Sequence, residues 1–213
     1  MIIAFDNVLP YPLRGSSLDK NSAWKSNLVV DSSQNHLLVS DSGKGKTTFL
    51  AFAFGSRMDY EGKVLVDGNS WTEYSIDQVS DIRRDKLAYL PQDIRLFPKL
   101  SALENLQIKN NLTRQRSEEE LIELLSNFGL EKQIKQSAGT LSLGQQQRVG
   151  LLRALIQPFE LLLLDEPFSH LDQNNIELAI QLIHKTCNEN NAGYIISSLG
   201  SDYGLSPDKT ILL

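Results

Sequence analysis

A short apolar run, His36-Leu37-Leu38-Val39, leads straight into Ser40-Asp41-Ser42-Gly43-Lys44-Gly45-Lys46-Thr47-Thr48, and a helix-prone apolar segment follows. Strand, glycine-rich turn and helix in this order gather backbone N–H groups and the positive end of a helix around one point. That arrangement suits a polyphosphate, whose charges must be met without bulky side chains in the way. Lys46 is placed to reach the β- and γ-phosphates of ATP, and the Thr47 hydroxyl to coordinate Mg2+. The general pattern is G-x-x-x-x-G-K-[ST], and here Ser40 stands where the first Gly belongs. Ser40 is expected to strain or narrow the loop entry while the later phosphate contacts remain.

The rest of the chain alternates short β-prone runs with helical patterns, which predicts an α/β fold. Strands are expected at the N-terminus, at 64–66 with a tight Asp67-Gly68 turn, and at 87–90, 161–164, 193–197 and 210–213. The segment 47–54 reads as a short helix stopped by Gly55. In the middle, Ser101 with Glu104 and Ser117 with Glu120 make capping-box patterns ahead of apolar stripes. Leu121, Leu124, Leu125 and Phe128 recur at helical spacing before Gly129, and 142–156 reads as another helix. A mainly helical block over about 92–157 is therefore predicted inside a single domain spanning 1–213.

A second constellation lies at the end of Leu161-Leu162-Leu163-Leu164-Asp165-Glu166-Pro167. Successive strand residues face opposite ways, and the chain turns at the strand end, so adjacent acids can take different roles. Asp165 is expected to orient the Mg2+ shell, and Glu166 to polarise an attacking water as general base.

Composition removes other classes. A formal net charge of -5 in 213 residues argues against a general nucleic-acid binder. Cys187 is the only cysteine, so no internal disulfide can form, which fits a reducing compartment. The N-terminus lacks the features of a signal peptide, and no apolar run approaches the ~20 residues that span a bilayer. A membrane role would need another polypeptide to do the spanning.

With these residues in place, the chain resembles the ATP-binding cassette (ABC) ATPases over almost its whole length. Ser40–Thr48 matches Walker A and Leu161–Glu166 matches Walker B. Leu141-Ser142-Leu143-Gly144-Gln145 resembles the signature usually written LSGGQ. Leu90-Pro91-Gln92-Asp93 is similar to the Q-loop, and Ser169-His170-Leu171-Asp172 to the D-loop. The order and spacing of the five agree with the family. The resemblance implies a P-loop ABC core with an N-terminal antiparallel β subdomain and an inserted helical subdomain. It implies ATP and Mg2+ as ligands, with Lys46, Gln92 and Glu166 catalytic and Thr47, Gln92 and Asp165 around the metal. It further implies that Ser142, Gly144 and Gln145 close over ATP held by a second protomer, identical or related, and that Asp172 couples the two sites. The signature has a physical reading too: Ser142 can cap the helix that begins near Gly144, again presenting a helix N-terminus to an anion. The implied partner is an integral membrane permease, with the chain peripheral on the cytoplasmic face of the cell membrane. Gln92–Asn105 resembles the matching stretch of lipoprotein-releasing, macrolide-efflux and cell-division ABC subunits.

The pattern departs from the family in places. A His is usual just after the strand that follows Walker B, where it contacts the γ-phosphate; here Ser198 or Leu199 takes that place. The three histidines, His36, His170 and His184, fall elsewhere. Leu143 replaces the second signature Gly. Slow hydrolysis is the expectation, with a soluble non-transport ABC ATPase or a nucleotide-gated clamp as the competing functions. For the aromatic that stacks adenine, Tyr11 is the candidate and Trp24 its competitor.

Overall fold

Two sheets with different jobs account for the alternation of apolar runs. In the computed structural model, which describes residues 1–213, β1 (Ile2–Pro10), β2 (Asn27–Asp31), β4 (Tyr60–Val66) and β5 (Asn69–Ser70) form an antiparallel sheet ordered β2-β1-β4-β5. The Asp67-Gly68 turn joins β4 to β5 with both residues left-handed, φ +47° and +88°, as a two-residue hairpin requires. A parallel sheet is ordered β6 (Leu87–Leu90), β7 (Leu161–Asp165), β8 (Gly193–Ser198), β3 (His36–Val39) and β9 (Lys209–Leu212).

The four leucines of β7 show how the layers are held. Leu161 and Leu163 pack into a core shared with the antiparallel sheet and α1 (Lys46–Ala53). Leu162 and Leu164 face the opposite way, into a core shared with the helices. All four are fully buried, so the strand has no polar face and its sequence shows no alternation.

The block between β6 and β7 contains α3 (Ala102–Thr113), α4 (Glu118–Asn127) and α5 (Leu143–Leu155). Both predicted capping boxes form: Ser101 and Ser117 side chains accept from Glu104 N and Glu120 N, and the two Glu side chains accept from the Ser amides. A further helix, α6 (Gln173–Asn190), follows β7 and carries Cys187 in the core, where burial pushes the thiol up to about 12. No helix is long and apolar enough to cross a membrane.

The apolar runs named above include neither β2 nor α2 (Ile76–Asp85), which is capped by a reciprocal Ser75–Gln78 box. The Ser-x-x-Gln pattern was the available signal for α2. The carboxyl ends of β3, β6, β7 and β8 all open on the same edge of the parallel sheet, the edge where ligands bind in open α/β folds.

Candidate functional site

The loop leaving β3 takes its shape from two glycines. Gly43 and Gly45 are left-handed, φ +78° and +106°, and a Cβ on Gly45 would stand 3.1 Å from the Trp24 ring. Ser40 has no positive φ, so the strain expected at the loop entry is absent: the missing first Gly was not needed for backbone conformation. The Ser40 hydroxyl donates to Asp41 O at 3.1 Å.

Lys46 opens α1 directly after Gly45 and is buried. Its ammonium donates to Ser40 O at 2.9 Å and Asp41 O at 3.4 Å, and stands 3.6 Å from Glu166 Oε1. Thr47 donates to Gln92 Oε1 at 3.4 Å, and Gln92 Nε2 donates to Glu166 Oε2 at 3.1 Å. Thr48 accepts instead from Arg57 Nη1 at 3.1 Å.

The two acids at the end of β7 are treated differently, as the turn there predicts. Asp165 is completely buried; its Oδ1 accepts from Ser197 Oγ at 2.7 Å, while its Oδ2 has no protein partner. Glu166 lies in the left-handed region at φ +48°, which swings its carboxylate towards Lys46 and Gln92. Burial, and then the Asp165 charge, push the Tyr89 phenol well above its ordinary range, so it stays protonated beside the acid.

The fold thus brings Lys46, Thr47, Gln92, Asp165 and Glu166 into one site from the ends of β6 and β7 and the start of α1. Ser142, Gly144, Gln145 and Asp172 are not joined to it by hydrogen bonds within this chain. Ser142 and Gln145 cap α5 reciprocally, and Asp172 caps α6 by accepting from Asn175 N at 2.9 Å. These two helix starts are stitched together. A Cβ on Gly144 would meet His170 O at 2.7 Å, Gln147 Nε2 donates to Pro167 O at 2.7 Å, and Arg148 donates to Asn175 Oδ1 at 3.0 Å. Leu143 is 60% exposed on the same surface.

The aromatic competitors separate. Trp24 is buried between Phe49 and Phe52, and its indole donates to Lys44 O at 3.3 Å; it buttresses the loop from behind and offers no face to a base. Tyr11 is 45% exposed in a turn after β1, with the Arg14 guanidinium 3.8 Å from its ring centre. A cleft of about 470 Å³ beside the loop is lined by Lys20, Ser40, Asp41, Lys44, Leu199 and Leu212, among others. Ser198 is buried at the end of β8, its Oγ accepting from Gly200 N at 3.2 Å and Ser201 N at 3.0 Å. Ser197, which touches both acids, was read in the sequence only as the end of a strand.

Known proteins share this arrangement. Residues 25–169 match the family model described as ABC transporter. The lipoprotein-releasing system ATP-binding protein LolD of Buchnera aphidicola subsp. Schizaphis graminum is 34% identical over 164 residues, covering 76% of this chain and 72% of LolD. The molybdate/tungstate import ATP-binding protein WtpC of Pyrococcus abyssi is 34% identical over 146 residues, covering 67% of this chain and 41% of WtpC. The dimeric bacterial ABC transporter cassette MJ0796 superposes with a TM-score of 0.83 at 28% identity, covering 99% of this chain and 94% of MJ0796. The same cassette in a dimeric post-hydrolysis state, bound to ADP and Pi, gives 0.82 at 25% identity, covering 100% and 94%. By its matched motifs, its two-sheet architecture and the convergence of five side chains at one sheet edge, this chain belongs to the ABC transporter family, among its cassette ATPases.

Proposed function

We propose that this chain binds ATP with Mg2+ at Ser40–Thr48, hydrolyses it, and in doing so powers a separate membrane-spanning permease. The observation that carries the reading is the meeting of Lys46, Gln92 and Glu166 next to a buried Asp165 oxygen that has no protein partner. An orphaned carboxylate oxygen in the interior is costly, and one beside a phosphate loop fits a hard cation that arrives with a nucleotide. No three His, Cys, Asp or Glu side chains form a self-sufficient metal cage, so Thr47, Gln92 and Asp165 would share the ion with phosphate oxygens. When bound, the ion supplies charge neutralisation at the phosphate oxygens.

The residues divide the work. Gly43 and Gly45 turn backbone N–H groups towards the phosphates, with Asp41, Ser42, Lys44 and Thr48 completing the cradle. Lys46 leaves its carbonyl partners for the β- and γ-phosphate oxygens and frees the Glu166 carboxylate. Glu166 takes the proton of the attacking water, and Gln92 holds that carboxylate in place. Tyr11 offers an exposed ring for the base, a role from which its burial removes Trp24.

Ser142, Gly144 and Gln145 sit at the start of α5, and neither the Ser142 nor the Gln145 side chain makes a hydrogen bond to the chain's own phosphate loop. They serve the nucleotide of a second protomer, identical or related, and Asp172 links the two sites. The stitching of α5 to the Asp172 turn supports this, because moving one helix start moves the other. The kinship with LolD and the Gln92–Asn105 stretch support a membrane partner of the lipoprotein-release kind, with the cassette peripheral on the cytoplasmic face.

Hydrolysis is slow in this reading. Of the three histidines, His36 lies inside β3, His184 on α6 and His170 in the turn before Asp172, so none follows β8. Ser198 has its hydroxyl engaged by two backbone amides. That observation also favours a second reading, a nucleotide-gated clamp that hydrolyses little. Phosphate release and ATP binding by the purified chain, with and without a co-purified membrane partner, test both. A chain that binds no ATP sinks the nucleotide reading, and turnover at ordinary transporter rates sinks the slow one.

A further inference from the structure

Ser197 is 1% exposed and is the register partner of Asp165 across the β7–β8 pair. Its hydroxyl has two bonds. It donates to Asp165 Oδ1 at 2.7 Å and accepts the Glu166 amide at 2.9 Å. The first bond engages one oxygen of Asp165 and leaves Oδ2 buried with no protein partner, the one carboxylate oxygen not already used within the fold. The second satisfies the amide of a residue in the left-handed region, φ +48°, a strained position for a non-glycine side chain that persists only if its surroundings hold it. One hydroxyl therefore sets the rotamer of the first acid and the backbone of the second.

We propose that Ser197 is the positioning residue of the hydrolytic step, presenting Asp165 Oδ2 to the nucleotide-borne cation while holding Glu166 turned towards the phosphate loop. The inference rests on the ATPase reading above. It does not make Ser197 a catalytic residue, since the hydroxyl is fully used within the fold and acts through the two acids. A serine that merely satisfies a strand end would affect stability alone. A positioning serine affects cation affinity and turnover as well.

The test compares Ser197→Ala and Ser197→Thr in the whole chain. Loss of a partner that orients a metal-binding group typically costs about 10–100-fold in metal affinity or activity. Ser197→Ala is expected to lower kcat by about that factor while leaving the KM for ATP within about threefold, the pattern of a lost transition-state arrangement. Independently of turnover, Mn2+ retained by the ADP-loaded chain, counted by electron paramagnetic resonance, should show an affinity lower by about 10-fold or more. Ser197→Thr keeps the hydroxyl and should restore both. Ser197→Val matches Thr in shape without the hydroxyl, so the Thr/Val pair replaces the Ala variant if that one fails to refold. Wild-type kcat and Mn2+ affinity in Ser197→Ala, or Thr and Val variants that behave alike, overturn the proposal. A wild-type chain that binds no ATP overturns the nucleotide reading itself, which keeps the two failures apart.

Discussion

Gln92 and Glu166 are hydrogen-bonded at 3.1 Å although 74 residues separate them, and the bond spans the gap between the β6 and β7 strand ends. It places the entrance to the helical block in contact with the acid that faces Lys46 at 3.6 Å. A change in what Glu166 touches is therefore felt at Gln92, the residue at the start of that block.

Glu166→Gln keeps the size and the hydrogen bond to residue 92 but cannot accept a proton. Its kcat should fall by about 10²–10⁴-fold, the usual contribution of a general base. ATP affinity should stay within about threefold, because the loop is unchanged and Lys46 exchanges Glu166 for the phosphates on binding. Single-turnover phosphate release and equilibrium nucleotide binding measure the two separately. A variant that loses affinity and rate together would move Glu166 from the chemistry to binding.

If the residue after β8 limits turnover, supplying a histidine there should accelerate it. Ser198→His and Leu199→His test the two positions separately. Restoring a group that stabilises developing charge on the γ-phosphate is expected to raise kcat by about 10-fold or more in one of them. Unchanged rates in both, with ATP binding intact, would show that another step limits this chain.

The phosphate loop was legible because its chemistry is local: Gly43, Gly45, Lys46 and Thr47 act within one turn, and their spacing carries the meaning. The capping boxes of α3 and α4 were legible for the same reason. Ser197 was not, since its role depends on register with a strand about 30 residues away, and period-2 reasoning gives no pairing. Trp24 presented an aromatic of either use; only burial beneath Phe49 and Phe52 decides between platform and buttress. Ser40 misled in the other direction. A pattern read as requiring glycine does so only where φ is positive, and the backbone at Ser40 is not.

That difference can be measured with two substitutions in one loop. Ser40→Gly relieves no strain, so ATP affinity should hold within about threefold and stability should drop by about 0.5–1 kcal/mol from added unfolded-state freedom. Gly45→Ala forces a side chain into φ +106° and against the Trp24 ring at 3.1 Å. It should destabilise by about 1–3 kcal/mol and weaken ATP binding by about 10-fold or more, since the backbone amides move. Urea unfolding and nucleotide titration report both quantities. Equal behaviour of the two variants would contradict the assignment.

Tyr11 should contribute to the base and not to the phosphates. Stacking is worth about 1–3 kcal/mol per base by alanine substitution, so Tyr11→Ala should weaken ATP by roughly 5–150-fold. Inorganic triphosphate binding, measured by competition, should be unchanged. Parallel losses for both ligands would place Tyr11 in the loop's support instead.

His36 makes the fold sensitive to acid. It is completely buried in β3; Nδ1 faces Gln34 O at 3.1 Å, and Nε2 has no partner. Burial holds its pKa below the ordinary 6.5; Lys209 adds to the depression, while the Gln34 carbonyl, Asp208 and Asp31 oppose it. In the window between the depressed folded value and 6.5, the unfolded chain binds the extra proton, so stability rises with pH there. The contribution is present in full above the unfolded pKa and is lost as pH falls towards the folded one. The slope cannot exceed about 1.4 kcal/mol per pH unit for one proton. His36→Val removes the titrating group and puts a β-branched, strand-favouring side chain in its place, so its stability should fall less between pH 7 and pH 5 than the wild type's. Urea midpoints across that range, compared between the two chains, isolate the histidine from the carboxylates they share. Parallel curves would mean that His36 takes up its proton equally in the folded and unfolded chains and that the acid limb belongs to other groups.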